Sequence, residues 1–354
     1  MKRSRHKTAQ AVAGTVRRHG LIDDGCRVVV ATSGGPDSVA LASILLELSG
    51  VRRPRSATSR HGARRGRFDL VLAHLNHGLR RTACRDETFV RELARRWALP
   101  LMVERADVAA EATRRGVGVE EAARTVRYEF LRQAAEQCGA DRVALGHHGD
   151  DQAETVLMNF LRGSGLRGLA GMPIRRPLAP DSRIVAIRPL LEVTREQILD
   201  YLKARQLEWM DDETNRSPKM LRNRVRHELL PLLERDYAKG LRGRLGQLAE
   251  HLAAVQQLLA GRAAAVWDEA VASATPRAVE FHIDVLRDHG PAICGELVLA
   301  ALEHLAAGRQ SVTADHLEAL WRTVRTESGG QRLELPDGIR VTRRGRILRI
   351  ATGS

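Results

Sequence analysis

Aromatic residues make up only 3% of the 354-residue chain, so its core must be aliphatic and few rings are on hand to stack bases. Cysteine is also scarce: Cys26, Cys84, Cys138 and Cys294 stand alone, with no Cys-x-x-Cys pair among them. Isolated thiols argue against a disulfide framework, a zinc ribbon or an iron–sulfur cluster, and they fit a reducing cytoplasm. No apolar run reaches the roughly eighteen residues needed to cross a bilayer, and the N-terminus lacks a secretory hydrophobic core. No membrane partner is therefore expected, and the predicted location is cytoplasmic. The first twenty-two residues contain no acid, a pattern shared with transit peptides, but their Ala/Val spacing fits a short leading helix better. There is no internal repeat.

What the chain has in quantity is positive charge. The formal net charge is +14, which points to a polyanionic partner, nucleic acid before membrane. The competing explanation is a plain compositional skew towards arginine. Salt-sensitive RNA binding separates the two, because phosphate contacts weaken steeply with ionic strength. Hydrophobic content of 43% supports a sizeable core, and the length allows two domains or three.

One stretch organises the rest. Val28 to Val30 is a β-branched run that reads as a buried strand, and Val39, Leu41, Ala42 and Leu45 begin a helical pattern. Between them stands Ser33-Gly34-Gly35-Pro36-Asp37-Ser38. Strand, glycine turn and helix form the architecture of a phosphate site: the glycines allow close backbone approach, and the helix start aims N–H groups at an anion. A carboxylate there repels phosphate unless a cation intervenes, so Asp37 is assigned to Mg²⁺. Taken alone, the turn is equally well an ordinary glycine bend with Asp37 and Ser38 capping a helix.

Further on, Phe68 to Leu75 reads as a parallel strand ending in Asn76-His77-Gly78-Leu79-Arg80, with a structural role the default for His74 and His77. A helix is expected from about Arg85 to Ala98, a strand at Leu101 to Arg105, and an amphipathic helix from Glu120 to Cys138. Arg124 and Arg127 share one face of that last helix. Arg142 to Gly146 is another short strand, followed by His147-His148-Gly149-Asp150-Asp151-Gln152-Ala153-Glu154-Thr155. Asp150, Asp151 and Glu154 line one edge of the first helical turns. Capping explains one or two of these acids, at about 0.3–1 kcal/mol each, but not three acids with two histidines at a strand end. A glycine-rich basic loop, Arg162 to Met172, comes next. Arg188-Pro189-Leu190-Leu191 then leads to a helix from Thr194 to Arg205, with Thr194 as N-cap before Gln197. Arg222 to Pro231 reads as a basic helix. From about Tyr237 to Arg325 the pattern is helical with breaks at Ser273–Pro276 and Gly290-Pro291, and the tail from Gly329 reads as a hairpin plus a last strand. The seven-arginine, acid-free stretch Arg52 to Arg67 reads as a basic loop, an insertion in preference to an RNA contact.

Taken together, these motifs resemble a known family. Ser33 to Ser38 looks like the SGGxDS loop of the N-type ATP pyrophosphatases, and no Gly-Lys-Ser/Thr follows as in a Walker loop. Asn76 to Arg80, Ala123-Arg124 through Arg127-Tyr128, Gly146 to Thr155, Arg162 to Gly165 and Arg188 to Leu191 extend the likeness. Trp209, Asp212, Asn215, Arg222-Asn223 and Arg226 complete it. In order and spacing they resemble one branch, the bacterial tRNA(Ile)-lysidine synthetases, over about residues 25 to 235. The tail is similar to that family's C-terminal region more loosely, and the chain looks like a short form.

The resemblance implies a Rossmann-like parallel sheet with helices on both faces over residues 1–222. A mainly helical, tRNA-binding domain is expected over residues 223–354, ending in a small hairpin or sheet. It implies a ligase that uses ATP and Mg²⁺ to join L-lysine to the wobble cytidine of tRNA(Ile) bearing a CAU anticodon. Cytidine C2 is a poor electrophile, so its O2 is first adenylated and the lysine amine then expels AMP. The residues carried over are Ser33, Gly34, Gly35, Pro36, Asp37, Ser38, His74 and Gly146 for ATP, with Asp37 on the metal. For lysine they are His147, Asp150, Asp151 and Glu154; for tRNA, Arg127, Arg162, Arg222, Asn223 and Arg226. Asp37, Arg124, Asp151 and Glu154 are the expected catalytic groups, and the choice of general base stays open among the acids. Oligomeric state is also open, with a homodimer among the options. The rivals are an iron–sulfur thiolase, which the unpaired cysteines disfavour, an amidotransferase without its glutaminase, and a basic RNA-binding protein with a vestigial nucleotide fold.

Overall fold

The computed structural model describes residues 6–50, 67–78, 83–179, 182–210, 221–305, 312–326 and 332–353. The basic stretch at 51–66, Leu79-Arg80, Asp212, Asn215 and the glycines at 329–330 lie outside the described residues. Two compact units emerge: residues 1–154 with 172–246, and residues 155–171 with 247–354. Residues 223–246 group with the first unit, whereas the motif pattern places the division near residue 222.

The first unit is built on a six-stranded sheet in the order β3-β2-β1-β4-β6-β5. Its strands are β1 (Arg27–Ala31), β2 (Asp69–Asn76), β3 (Leu101–Arg105), β4 (Arg142–Ala144), β5 (Arg175–Pro177) and β6 (Val185–Ile187). All pairs are parallel except β5 against β6. The antiparallel edge strand ends in Pro177, a residue an edge tolerates because it has no N–H to give a ladder. The two three-residue strands at 175 and 185 are additions to the sequence expectation, too short to show any alternation.

Strand alternation divides the core into two layers. Val28, Val30, Leu70 and Leu72 face one side, and Val29, Val71, Ala73 and Leu75 face the other. On the first side lie α1 (Lys7–Arg18), α2 (Pro36–Ser49), α3 (Ala83–Trp97) and, later in the chain, Arg195–Ala204. Twelve of the fourteen residues of α2 are buried, so it has no polar face and acts as the hub of that layer. Two of its polar residues are satisfied through Tyr201, whose hydroxyl is 2.9 Å from Ser43 Oγ and donates to Glu47 Oε1 at 2.9 Å. The other face is covered by α5 (Val119–Cys138), through Phe130, Leu131, Ala134 and Ala135, with α4 (Val108–Arg115) beside it. Next come α6 (Gly149–Leu161), α7 (Arg195–Ala204), α8 (Leu221–Arg224), a π-helical segment Val225–Leu229 and α9 (Leu230–Asp236). The capping box expected at Thr194 and Gln197 opens α7.

The second unit combines α10 (Leu241–Ala265), which begins in the first unit, with α11 (Ile283–His304) and α12 (Ala314–Arg325). Against them lies a five-stranded antiparallel sheet in the order β7-β8-β11-β10-β9. The break at Ser273–Pro276 is the tip of a hairpin between β7 (Val271–Thr275) and β8 (Ala278–His282), and β8 pairs with the last strand, β11 (Ile347–Thr352). The tail strands β9 (Arg332–Leu335) and β10 (Ile339–Arg344) therefore complete a larger sheet than a terminal hairpin. The break at Gly290 is a kink with φ +77°, a backbone state that glycine supplies without strain, just before Pro291. Arg343, 5% exposed, donates to the carbonyls of Thr323 and Val324 and so satisfies the C-terminal end of α12.

Candidate active site

The glycine turn leaves β1 at the centre of the sheet, where the carboxyl ends of neighbouring strands diverge and open a crevice. Gly34 sits at φ +93°, and a Cβ there meets Phe89 Cδ1 at 3.4 Å. The positive φ is what calls for glycine here, since the Phe89 approach is ordinary van der Waals contact. The turn is laced by hydroxyls: Ser38 Oγ accepts from the N–H groups of Ser33 and Gly34 at 3.2 Å each and donates to the Gly35 carbonyl at 2.9 Å. Gly35 is the N-cap of α2 and Pro36 its first residue, where a missing N–H costs nothing.

A cavity of about 220 Å³ opens on the α5 side of the sheet. Ser33, Gly35, Asp37 and Ser38 line it from the turn, Gly146 and His147 from the end of β4, and Arg127 from α5. The two motifs, more than a hundred residues apart in sequence, meet here. A Cβ on Gly146 comes within 3.4 Å of the Asp37 carbonyl carbon and the Ser38 nitrogen, so the β4 end and the start of α2 touch backbone to backbone. Gly149 is held as closely, its N–H donating to the Val193 carbonyl at 2.8 Å.

His74 does not line this cavity. It points to the opposite face of β2 from Ala73 and Leu75, which do line it, and its Nδ1 lies 2.8 Å from the Thr32 carbonyl. It shapes the entry to the turn from behind, and His77, expected to be structural, lines the cavity wall where His74 was carried over for ATP.

Behind Asp37 lies a dense charged cluster. His148, 1% exposed, stands among three carboxylates: its Nε2 is 3.8 Å from Asp37 and 3.4 Å from Asp151, and its Nδ1 is 3.6 Å from Asp150. Burial by itself lowers the ring's pKa, but the three carboxylates outweigh it and raise it. Burial raises Asp37, against the pull of His148 and Arg195. For Asp150 burial is overcome by His148 and the Arg195 N–H, which bring it down to about 2. Asp151 is likewise lowered, His148, Arg222 and Arg226 outweighing burial. His147 behaves oppositely: burial and the Arg188 guanidinium push it down to about 3, and its neutral Nδ1 accepts from Arg188 Nε at 3.3 Å.

The acids predicted to hold an ammonium are matched by arginines. Arg222 reaches Asp151 at 3.1 Å and Glu154 at 2.9 Å, and Arg226 reaches them at 2.7 and 2.5 Å. Asp150 takes the Arg195 N–H at 2.8 Å and Arg242 at 3.3 Å. Arg222 and Arg226 thus stand at the acid cluster itself, beside Asn223. Arg162 is exposed at the end of α6, within the second unit. Arg124 lies on α5, exposed, with its guanidinium 5.5 Å from the Tyr128 ring centre.

Sequence reasoning missed Arg195, whose Nη1 bridges both oxygens of Asp37 at 3.0 and 3.3 Å. Inside a capping-box helix it looks like surface charge, and no local signal marks it. It also left His148 without a role, although the His147-His148 pair had marked the place. Among the described residues no group of three or more His, Cys, Asp or Glu side chains is arranged to hold a metal. The single carboxylate of Asp37 at the cavity wall fits Mg²⁺ of the kind held by one acid, phosphates and water. No helix among the described residues is long and apolar enough to cross a membrane.

Comparison with known proteins bears on this geometry. A family model described as a PP-loop domain matches residues 5–233. A tRNA(Ile)-lysidine synthase of Geobacter sulfurreducens is 39% identical over 326 residues, 92% of this chain and 65% of that protein. One from Solibacter usitatus is 35% identical over 327 residues, 92% of this chain and 67% of that protein. The chain thus spans about two thirds of the length of such relatives, 65% for the Geobacter protein. Among solved structures, the U34-tRNA thiolase NcsA from Methanococcus maripaludis with its [4Fe-4S] cluster superimposes with TM-score 0.55 at 18% identity, covering 70% of this chain and 78% of that one. That likeness speaks for the fold alone.

Proposed function

The chain belongs to the PP-loop family and, within it, to the tRNA(Ile)-lysidine synthases, and from that premise we propose that it joins L-lysine to C2 of the wobble cytidine of tRNA(Ile) with a CAU anticodon, using ATP. The observation that carries the reading is the contact of Gly146 with the backbone of Asp37 and Ser38. The turn and the start of the His147–Glu154 segment thus lie side by side, which supports one site for a two-step reaction.

In the first step cytidine O2 attacks the α-phosphorus of ATP and pyrophosphate leaves. The turn offers backbone N–H groups and the α2 N-terminus to the phosphates, and Arg127 adds a fixed positive charge from the cavity wall. Asp37 would hold Mg²⁺, and when bound the ion would supply charge neutralisation on the phosphates. Arg195 orients the Asp37 carboxylate, its Nη1 donating to both oxygens. In the second step the lysine ε-amine attacks C2, and the C2–O2 bond breaks with departure of AMP. The amine arrives as an ammonium, with an ordinary pKa near about 10.4, so a base must take its proton. Asp150, Asp151 and Glu154 are the acids in place. Because two guanidiniums already neutralise Asp151 and Glu154, the ammonium exchanges with an arginine contact instead of entering an unmatched acid pocket.

The test is incorporation of labelled lysine into an unmodified tRNA(Ile) transcript with a CAU anticodon. The expected result is ATP-dependent incorporation with AMP released one for one. Lysine-independent RNA binding without incorporation overturns the proposal in favour of a binding module.

A further inference from the structure

Among the described residues many arginines are matched to acids, as Arg105 and Arg91 are to Glu87, Arg115 to Glu111, and Arg222 and Arg226 to Asp151 and Glu154. Several without such a partner gather around a single ring. Around the Tyr128 ring stand the guanidiniums of Arg176 at 5.2 Å, Arg124 at 5.5 Å and Arg127 at 5.7 Å from its centre. Burial alone would raise the phenol's pKa, but the neighbouring Arg176, Arg188 and Arg124 lower it. Among the described residues, none of these four arginines has a carboxylate within ion-pair distance. Arg188 is 3% exposed, and the buried Nε of Arg127 has no hydrogen-bond partner there.

Four guanidiniums without a carboxylate repel one another, and a cation–π contact with one phenol returns only about 0.5–2 kcal/mol apiece. The cluster is stable with an anion to share. Burial lowers both Arg127 and Arg188, the latter to about 10, as expected of cations held in a low dielectric without an acid.

Two anions are at issue in such an enzyme, the ATP phosphates and the RNA backbone. The cavity is lined by Arg127 and His147 and not by Arg124, Arg176 or Arg188. Those three lie one side-chain layer outside its wall, joined to it through the Arg188–His147 contact at 3.3 Å. Exposure rises outward along them, from buried Arg188 through half-buried Arg176, on edge strand β5, to exposed Arg124. A nucleotide whose base reaches the ATP in the cavity must leave its own phosphates outside the wall, towards solvent. We infer that Arg176, Arg188 and Arg124, braced on Tyr128, form a subsite for the RNA backbone phosphate next to the reacting nucleotide. Guanidinium forks match the paired oxygens of a phosphodiester. This inference rests on the tRNA-modifying reading above.

Arg176 is the member to test, because it is half-buried on an edge strand and lies outside the ATP cavity. Binding of the full chain to the tRNA(Ile) transcript is measured from 50 to 200 mM salt for wild type, Arg176→Gln, Arg176→Lys and Arg175→Gln. ATP binding without RNA is measured in parallel. Arg175 is exposed on the same strand and serves as the control for bulk charge. Arg176→Gln is expected to weaken RNA binding roughly five- to tenfold and to lower the slope of log K against log salt by about 1. Arg176→Lys should keep the slope, Arg175→Gln should change it by less than half as much, and ATP affinity should stay within about twofold. An unchanged RNA slope in Arg176→Gln, an equal loss in Arg175→Gln, or a loss confined to ATP binding overturns the inference. A wild-type chain that binds ATP but no RNA overturns the tRNA reading itself, whereas wild-type RNA binding with an Arg176→Gln slope unchanged overturns this subsite alone.

Discussion

The four-part ion pair of Asp151, Glu154, Arg222 and Arg226 gives the sharpest prediction. Glu154 is 1% exposed and takes Arg222 Nε at 2.9 Å, Arg226 Nε at 2.5 Å and Arg226 Nη2 at 2.9 Å. At a charge separation of about 4 Å and an effective dielectric of about 20, each pair is worth about 4 kcal/mol before desolvation. The arginines are 28% and 41% exposed, so solvent screening and desolvation remove much of that. The net coupling between Glu154 and Arg226 comes to about 1–3 kcal/mol. Glu154→Gln and Arg226→Gln should each lower the urea midpoint of the first unit, and the double variant should lower it by less than the two added together. Lysine transfer should fall in Glu154→Gln through a raised KM for lysine, while ATP affinity in the absence of lysine stays close to wild type. A coupling below about 0.5 kcal/mol would show that the quartet is not formed in solution. An unchanged lysine KM and turnover in Glu154→Gln would remove this acid from the lysine site.

Two further outcomes are expected. Gly34→Ala forces a side chain into φ +93° and should cost about 1–2 kcal/mol locally. Pyrophosphate release should then collapse while the chain stays folded by circular dichroism; full release at saturating ATP contradicts the phosphate-turn assignment. Glu87 is held down to about 2 by its Arg105 hydrogen bonds against the effect of burial. A carboxyl with a depressed folded-state pKa stabilises the fold above its ordinary value of 4.5 and loses that contribution as pH falls towards 2. Acid titration of stability should therefore show a loss in that window that Glu87→Gln flattens, and identical profiles would show that the Glu87 pairing adds nothing.

Local patterns carried much of this protein. The β-branched run at Val28–Val30, the turn at Ser33–Ser38, the helix at Val119–Cys138 and the Thr194 capping box are each written in a dozen residues or fewer of periodicity and turn chemistry, or in one long amphipathic repeat. The turn at Ser33–Ser38 and the acid-rich start of α6 stand out for the same reason: each is a local device. The hairpin at Val271–His282 was not, because Ala-rich strands of five residues carry no alternation strong enough to interrupt a helical reading.

Register, strand order and charge pairing belong to the tertiary structure. The face on which His74 points depends on its place in β2, and one residue of register separates the cavity wall from the opposite layer. Which arginine meets which acid is decided by packing: Arg222 and Arg226 lie some seventy residues beyond Glu154, and Arg195 reaches Asp37 from a helix whose sequence shows only a good cap. The turn by itself reads equally well as a phosphate cradle or a glycine bend. Only the folded chain sets it against Gly146, surrounds His148 with three carboxylates, and gathers three arginines without carboxylate partners on one tyrosine, because electrostatic partners are chosen by distance in space and not by spacing in sequence.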